Sequence, residues 1–87
     1  MKRNVFAIAR HNAQNTHIAV SRNGRAPFTM YRVEDLQPHE SALSIVAVQH
    51  WLNDKGMTAT AVELERKHNL ETPNFPYAVR VRAIVGA

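Results

Sequence analysis

Eighty-seven residues at 9.8 kDa suffice for a single domain over residues 1–87 and leave no room for a second. A chain this short buries only roughly 60 to 65% of its unfolded surface, which suits a binding surface better than a deep walled pocket; the lack of cysteine excludes disulfide scaffolds, thiolate nucleophiles and cysteine-based metal sites, and fits a reducing compartment. The formal charge is +4 with a pI near 10.1, but it is unevenly placed: residues 1–33 hold Lys2, Arg3, Arg10, Arg22, Arg25 and Arg32 with no acid, while residues 34–87 hold five bases and all seven acids.

Val5–Arg10 and His17–Arg22 are rich in strand-compatible residues, and the polar connector HNAQNT at 11–16 joins them as a long-looped hairpin. Asn23-Gly24 is the strongest turn signal in the chain and leads into a third run, Arg25–Val33. A two-residue turn there would set Ile18 and Val20 opposite Thr29 and Pro27. A three-residue loop of Arg22, Asn23 and Gly24 closed by a glycine bulge instead sets Ile18 opposite Phe28 and Val20 opposite Ala26, and this register is the expectation. Pro27 lacks an amide for the ladder, so the third strand belongs at an edge. Ile8, Ile18 and Phe28 are expected on one buried side, with Phe6 also in the core.

The acidic segment Glu34–Glu40 delivers the chain into Ser41–Asp54, a long stretch free of proline and glycine, and this predicts the helix. Pro38 suits its first turn, Glu40 complements the positive end of its dipole, and Gly56 reads as its C-terminal cap. Apolar residues surround the helix, interrupted mainly by Ser44, Gln49 and His50, so one sheet face does not cover it; either further chain wraps it or another molecule meets it. Thr58–Lys67 and Tyr77–Val85 alternate with period two. Folded as a hairpin about NLETPNFP, they place Glu63 opposite Arg82, Glu65 opposite Arg80, Val62 opposite Ala83 and Leu64 opposite Val81, one register satisfying both faces. A helix over 60–69, capped by Thr58 or Thr60, is the competing reading. The predicted fold is α+β: an antiparallel sheet of four to five strands with one helix packed on one face, in the order βββαββ.

Five histidines, at 11, 17, 39, 50 and 68, lack metal-ligand spacing, and no metal or other cofactor is expected. No nucleotide-binding, hydride-transfer or serine-hydrolase motif is present. His11 and His17 bracket one loop beside Arg10 and Arg22, the inventory of a small metal-free ribonuclease, in which two imidazoles exchange protons while arginine stabilises the phosphorane. No motif accompanies that inventory, and a non-enzymatic role is expected.

The basic N-terminal strands are the better functional candidate. Arg10, His11, Asn12, Gln14, Asn15, His17, Arg22, Asn23, Arg25 and Arg32 form the expected binding set: arginine forks for phosphate or carboxylate and the amides of HNAQNT for base edges, with Phe6, Phe28 and Tyr31 as rings able to stack on bases where they are not core. Trp51 is core by default, but with His50 it is the place to look for a protein interface, including a homo-oligomer through the helix. The apolar stretch within 42–48 is broken by Ser44 and falls far short of the roughly 20 residues a membrane span needs. The apolar run that follows the basic Met1–Arg3, Val5–Ala9, is shorter than the roughly 7 to 15 residues of a secretory signal, and none is expected. A cytoplasmic protein is expected, its partner an acidic protein or nucleoprotein surface, or nucleic acid directly, with no membrane.

The layout of three strands, a helix and further strands resembles small phage and mobile-element proteins, including some anti-CRISPR inhibitors and the antitoxin half of some toxin–antitoxin pairs. The resemblance covers most of the chain and rests on layout alone, so it implies an inhibitor-type binding role and assigns no residue. A general nucleic-acid-binding module is the alternative.

Overall fold

The computed structural model of the chain describes residues 1–36, 43–70 and 72–86. Its strands are β1 (Arg3–His11), β2 (His17–Ser21), β3 (Thr29–Arg32), β4 (Ala59–Asn69) and β5 (Tyr77–Val85), and its helices are α1 (Val33–Leu36) and α2 (Leu43–Asp54). The strands form one antiparallel sheet in the order β3-β2-β1-β5-β4. This is the predicted α+β architecture, with the short helix α1 added before the main one. The helical connection runs from one edge strand to the other, and α2 touches β1, β2, β4 and β5 along the way.

Strand alternation sorts the side chains into two faces. Val5, Ala7, Ala9 and His11 on β1, Ile18 and Val20 on β2, and Val79, Val81, Ala83 and Val85 on β5 are all buried. They join Ala47, Val48, Trp51 and Leu52 of α2 in one core. Ala7, Ala9, Ala83 and Ala47 are essentially inaccessible, and their small side chains let the helix settle close to the centre of the sheet. The opposite face, carrying Phe6, Ile8, Arg10, Arg80, Arg82 and Ile84, is only half buried because no helix lies over it.

The helix ends as expected. Gly56 sits at φ +73°, its N–H donates to Asn53 O at 2.9 Å, and the Met57 N–H donates to Leu52 O at 2.9 Å, the paired bonds of a Schellman cap. The roles assigned to Pro38, Glu40 and Ser41, and the position of His39, lie outside the described residues. The chain supplies cover for the apolar helix: Leu36 of α1 is buried in the same core, and Val33, Met57, Ala59 and Val62 pack against it.

Two registers differ from expectation. In the β2–β3 hairpin, Ile18 faces Tyr31 and Val20 faces Thr29, not Phe28 and Ala26, and the connection Arg22–Phe28 is seven residues long. Pro27, unable to donate to the ladder, is exposed within that loop, which shortens β3 and shifts the pairing. The larger Tyr31 therefore takes the helix side beside Ile18, where its hydroxyl donates to Asp54 Oδ2 at 2.7 Å. Phe28, expected with Ile18 in the core, lies instead on the open face with Ile8, and so does Phe6.

In the β4–β5 hairpin, Val62, Glu63 and Leu64 face Ala83, Arg82 and Val81 as expected. A bulge between Leu64 and Arg66 then places Arg66 opposite Arg80, correcting the expected Glu65 pairing in the ladder. Glu65 nonetheless reaches Arg80 at 3.3 Å, because the extra residue swings its side chain to the same face. The competing helix over 60–69 is excluded, since β4 spans it. Glu63 and Arg82 form an ion pair, so the double mutant Glu63→Arg with Arg82→Glu should recover part of the stability lost by either single change. The coupling should be about 0.2 to 1 kcal/mol, as for exposed pairs, and is measurable by denaturant unfolding of the four-member cycle.

Candidate functional site

The predicted binding residues separate onto two ends of β2. At one end, Asn12 organises the β1–β2 loop. Its Oδ1 accepts the N–H of Thr16 at 2.8 Å and of His17 at 3.2 Å, and its Nδ2 donates to Thr16 Oγ1 at 2.9 Å. The loop is tied to the β4–β5 connection through Ala13 N–H to Asn74 O at 2.9 Å. The Asn12 amide, expected to read a ligand, therefore works within the loop, while Gln14 and Asn15 are exposed. Arg32 lies at this end too, opposite His17, and its guanidinium meets Asp35 at 2.8 Å and Glu34 at 3.2 Å. Acids adjacent in sequence thus neutralise one member of the basic N-terminal third.

His11 is corrected more thoroughly. It is 4% exposed on the helix face, its Nε2 shares a hydrogen bond with Ser44 Oγ at 2.6 Å, and its ring stacks on Tyr77 at 4.7 Å. A surface ligand role is closed to it by burial. The β1–β2 pairing sets His11 opposite Ile18, so His17, one residue earlier on β2, projects to the other face. The two imidazoles do not converge on a common phosphate as the ribonuclease inventory requires.

The other end of β2 is different. The Arg22–Phe28 loop is closed by Gly24 N–H to Ser21 Oγ at 2.8 Å and Arg25 N–H to Asn23 Oδ1 at 3.0 Å. Gly24 adopts φ +78° and passes just above Ile8, so the loop folds back over the open sheet face. There Arg10 donates to Gly24 O, and its guanidinium stacks on Phe28 at 4.8 Å from the ring centroid. The outer side of the loop borders a shallow cleft of about 200 Å³ lined by Arg22, Arg25, Pro27, Trp51 and Lys55, in which the Lys55 ammonium lies 4.9 Å from the Trp51 ring centroid. Trp51 itself is 5% exposed; it is core, and its expected role as an interface anchor does not survive that burial. His50 is exposed and tilted against Tyr31.

Charge pairing distinguishes the two halves of the molecule. Among the described residues the ion pairs engage Arg32, Arg80 and Arg82, whereas Arg10, Arg22, Arg25 and Lys55, like Lys2, Arg3, Arg66 and Lys67, have no carboxylate within 4 Å; the first four are those around the β2–β3 loop. Lys55 was absent from the expected set, although its place one helical turn after Trp51 is a legible signal. The pairing of Phe6 with Arg80, 4.5 Å from centroid to guanidinium carbon, depends on β1 lying beside β5 and was not legible. Among the described residues no cluster of three or more metal-ligating side chains occurs, and no helix is long and apolar enough to cross a membrane.

Comparison with known proteins finds no matching family model, no matching curated protein and no matching solved structure.

Burial holds the His11 imidazole below its ordinary value of 6.5, and the nearby Lys67 ammonium lowers it further. The unfolded chain therefore takes up this proton at a higher pH than the folded chain, so the stability due to neutral His11 is complete above about pH 6.5 and declines as pH falls toward the lower folded value. Each unit of lowering corresponds to about 1.4 kcal/mol at most. Urea midpoints measured between pH 8 and pH 5 should fall in the wild type, and His11→Gln should flatten that segment of the profile.

Proposed function

We propose that the chain is a non-enzymatic binding protein whose β2–β3 loop and adjoining strands engage a polyanionic partner, either nucleic acid or a nucleoprotein. The observation that supports this reading is the cluster of four cations, Arg10, Arg22, Arg25 and Lys55, at one end of the sheet, without carboxylate partners among the described residues. A solvated face ordinarily mixes signs, as the outer side of β4 and β5 does with Glu63, Glu65, Arg80 and Arg82. Arginine forks suit phosphate and carboxylate alike, so the charge alone selects an anionic partner without choosing its chemistry. The layout resemblance to small phage inhibitors extends the reading to a nucleoprotein target, which the chain would block by covering its nucleic-acid-bearing surface.

The test is charge reversal at two places. Capture from a native lysate with and without nuclease separates nucleic-acid-dependent partners from protein partners. Against the captured partner, Arg22→Glu with Arg25→Glu should weaken binding at least about tenfold, because both residues flank an exposed loop and carry no core packing. Arg66→Glu with Lys67→Glu should do much less. Circular dichroism controls for folding, and equal losses from the two pairs would reduce the effect to net charge and overturn the assignment.

A further inference from the structure

The open sheet face carries a cavity of about 110 Å³ between Phe28 and Phe75, completed by Ala19, Met30 and Arg10. Its two rings enter from different loops, Phe28 from the β2–β3 connection and Phe75 from the β4–β5 connection. The second loop is held in place by Leu70 N–H to Pro76 O at 2.8 Å, Ala13 N–H to Asn74 O at 2.9 Å and Thr72 Oγ1 to Phe75 O at 2.6 Å. The rings are thus positioned before any ligand arrives. Free small molecules usually occupy about 300 to 1,000 Å³, so this space fits one flat ring carried by a larger molecule.

Arg10 supplies the polar side of the cavity. Its Nη2 donates to Gly24 O, its Nε is buried without a partner, and it has no carboxylate within 4 Å among the described residues. The buried Nε is itself out of reach of a ligand, but the guanidinium has more donors than Gly24 O accepts, and Arg10 lines the space an incoming ring would fill. A second stack of ring and cation, Phe6 with Arg80 at 4.5 Å, stands farther along the same face. That second guanidinium is already engaged by Glu65 at 3.3 Å, so Arg10 is the one of the two left without a carboxylate among the described residues, and a ring site beside such a cation complements a polymer whose every unit joins a planar base to a phosphate. An acidic protein surface presents aromatic rings only at isolated positions.

We propose that this cavity holds one unpaired base of a single-stranded nucleic acid, stacked against Phe75 and hydrogen-bonded at its edge by Arg10, with the adjoining phosphates directed toward Arg22 and Arg25. The inference rests on the polyanion reading above and gives it a substrate class. Stacking contributes to affinity independently of salt, whereas phosphate contacts set the salt dependence, so the two contributions can be measured apart.

Fluorescence anisotropy with a labelled oligothymidylate, and with an abasic oligomer of the same length, provides the test. The wild type should bind the oligothymidylate about tenfold or more tightly than the abasic strand. Phe75→Ala and Phe75→Leu should both erase that preference, Phe75→Tyr should keep it, and the salt slope should stay constant through the series. Arg22→Glu with Arg25→Glu should instead lower the slope by about 2, roughly 1 per phosphate contact. Should the alanine variant fail to fold by circular dichroism, the leucine and tyrosine variants carry the comparison. Equal affinity of the wild type for both oligomers overturns the base pocket and leaves the polyanion reading standing, provided the arginine reversals still weaken binding. Absence of binding to either oligomer at low salt overturns the pocket as well, and binding of polyglutamate under the same conditions then shows whether the polyanion reading survives it.

Discussion

The pairing of β1 with β5 is the constraint on which the rest of the molecule depends. Nine consecutive residue pairs, from Arg3 opposite Val85 to His11 opposite Tyr77, join the two ends of the chain at the middle of the sheet. Each terminal strand carries its own hairpin partner outward, β2 and β3 on one side and β4 on the other. Without the central ladder, neither hairpin has a second layer large enough to bury one face, and isolated two-stranded ribbons are marginal in water. The helix then spans the seam, so its contacts with β2 and β4 lock together halves that are remote in sequence. Pairings of such long range close large loops before they gain any contact, which places much of the folding cost in this one step.

The same seam decides which face the helix covers and which stays open. On the helix side the central rows are alanine and valine, small enough for α2 to approach, and His11 with Ser44 forms a buried polar pair there. On the other side the same two strands present Phe6, Ile8, Arg10, Arg80 and Arg82, with guanidinium groups lying over aromatic rings. These cation–ring stacks shield apolar surface while keeping charge at the water boundary, so an uncovered sheet face remains compatible with a folded monomer.

The legible parts of this fold are those set by local periodicity. Glu63 and Arg82 could be paired from sequence because both strands alternate cleanly and both faces select the same register. The Gly56 cap was equally readable, being a matter of one residue's backbone freedom at the end of a helix. The β2–β3 register failed because Asn23-Gly24 signals a tight turn while Pro27, three residues on, withholds a ladder donor, and the missing donor decided the outcome. The bulge at Glu65 left no mark in the alternation of charge. His11 and Trp51 were misplaced as contacts because type and sequence neighbourhood do not reveal which face of a sheet a helix will cover. Arg22 and Arg25 were recognised, yet their distinction from Arg32 arose only when α1 brought Glu34 and Asp35 against that third arginine.

That distinction bears on why the cationic end exists at all. Two unit charges about 4 Å apart in water interact by about 1 kcal/mol, and salt reduces this further with distance. Arg22, Arg25 and Lys55 therefore repel one another only weakly, but nothing in the fold offsets even that: none bridges to an acid among the described residues, and the loop that carries two of them is closed by Ser21 and Asn23 without help from the guanidinium groups. Elsewhere Arg82 pairs with Glu63 and Arg32 with Asp35. The cations gathered around the β2–β3 loop thus lie beside aromatic rings without a compensating carboxylate among the described residues, and under the proposed function an anionic partner would supply that charge.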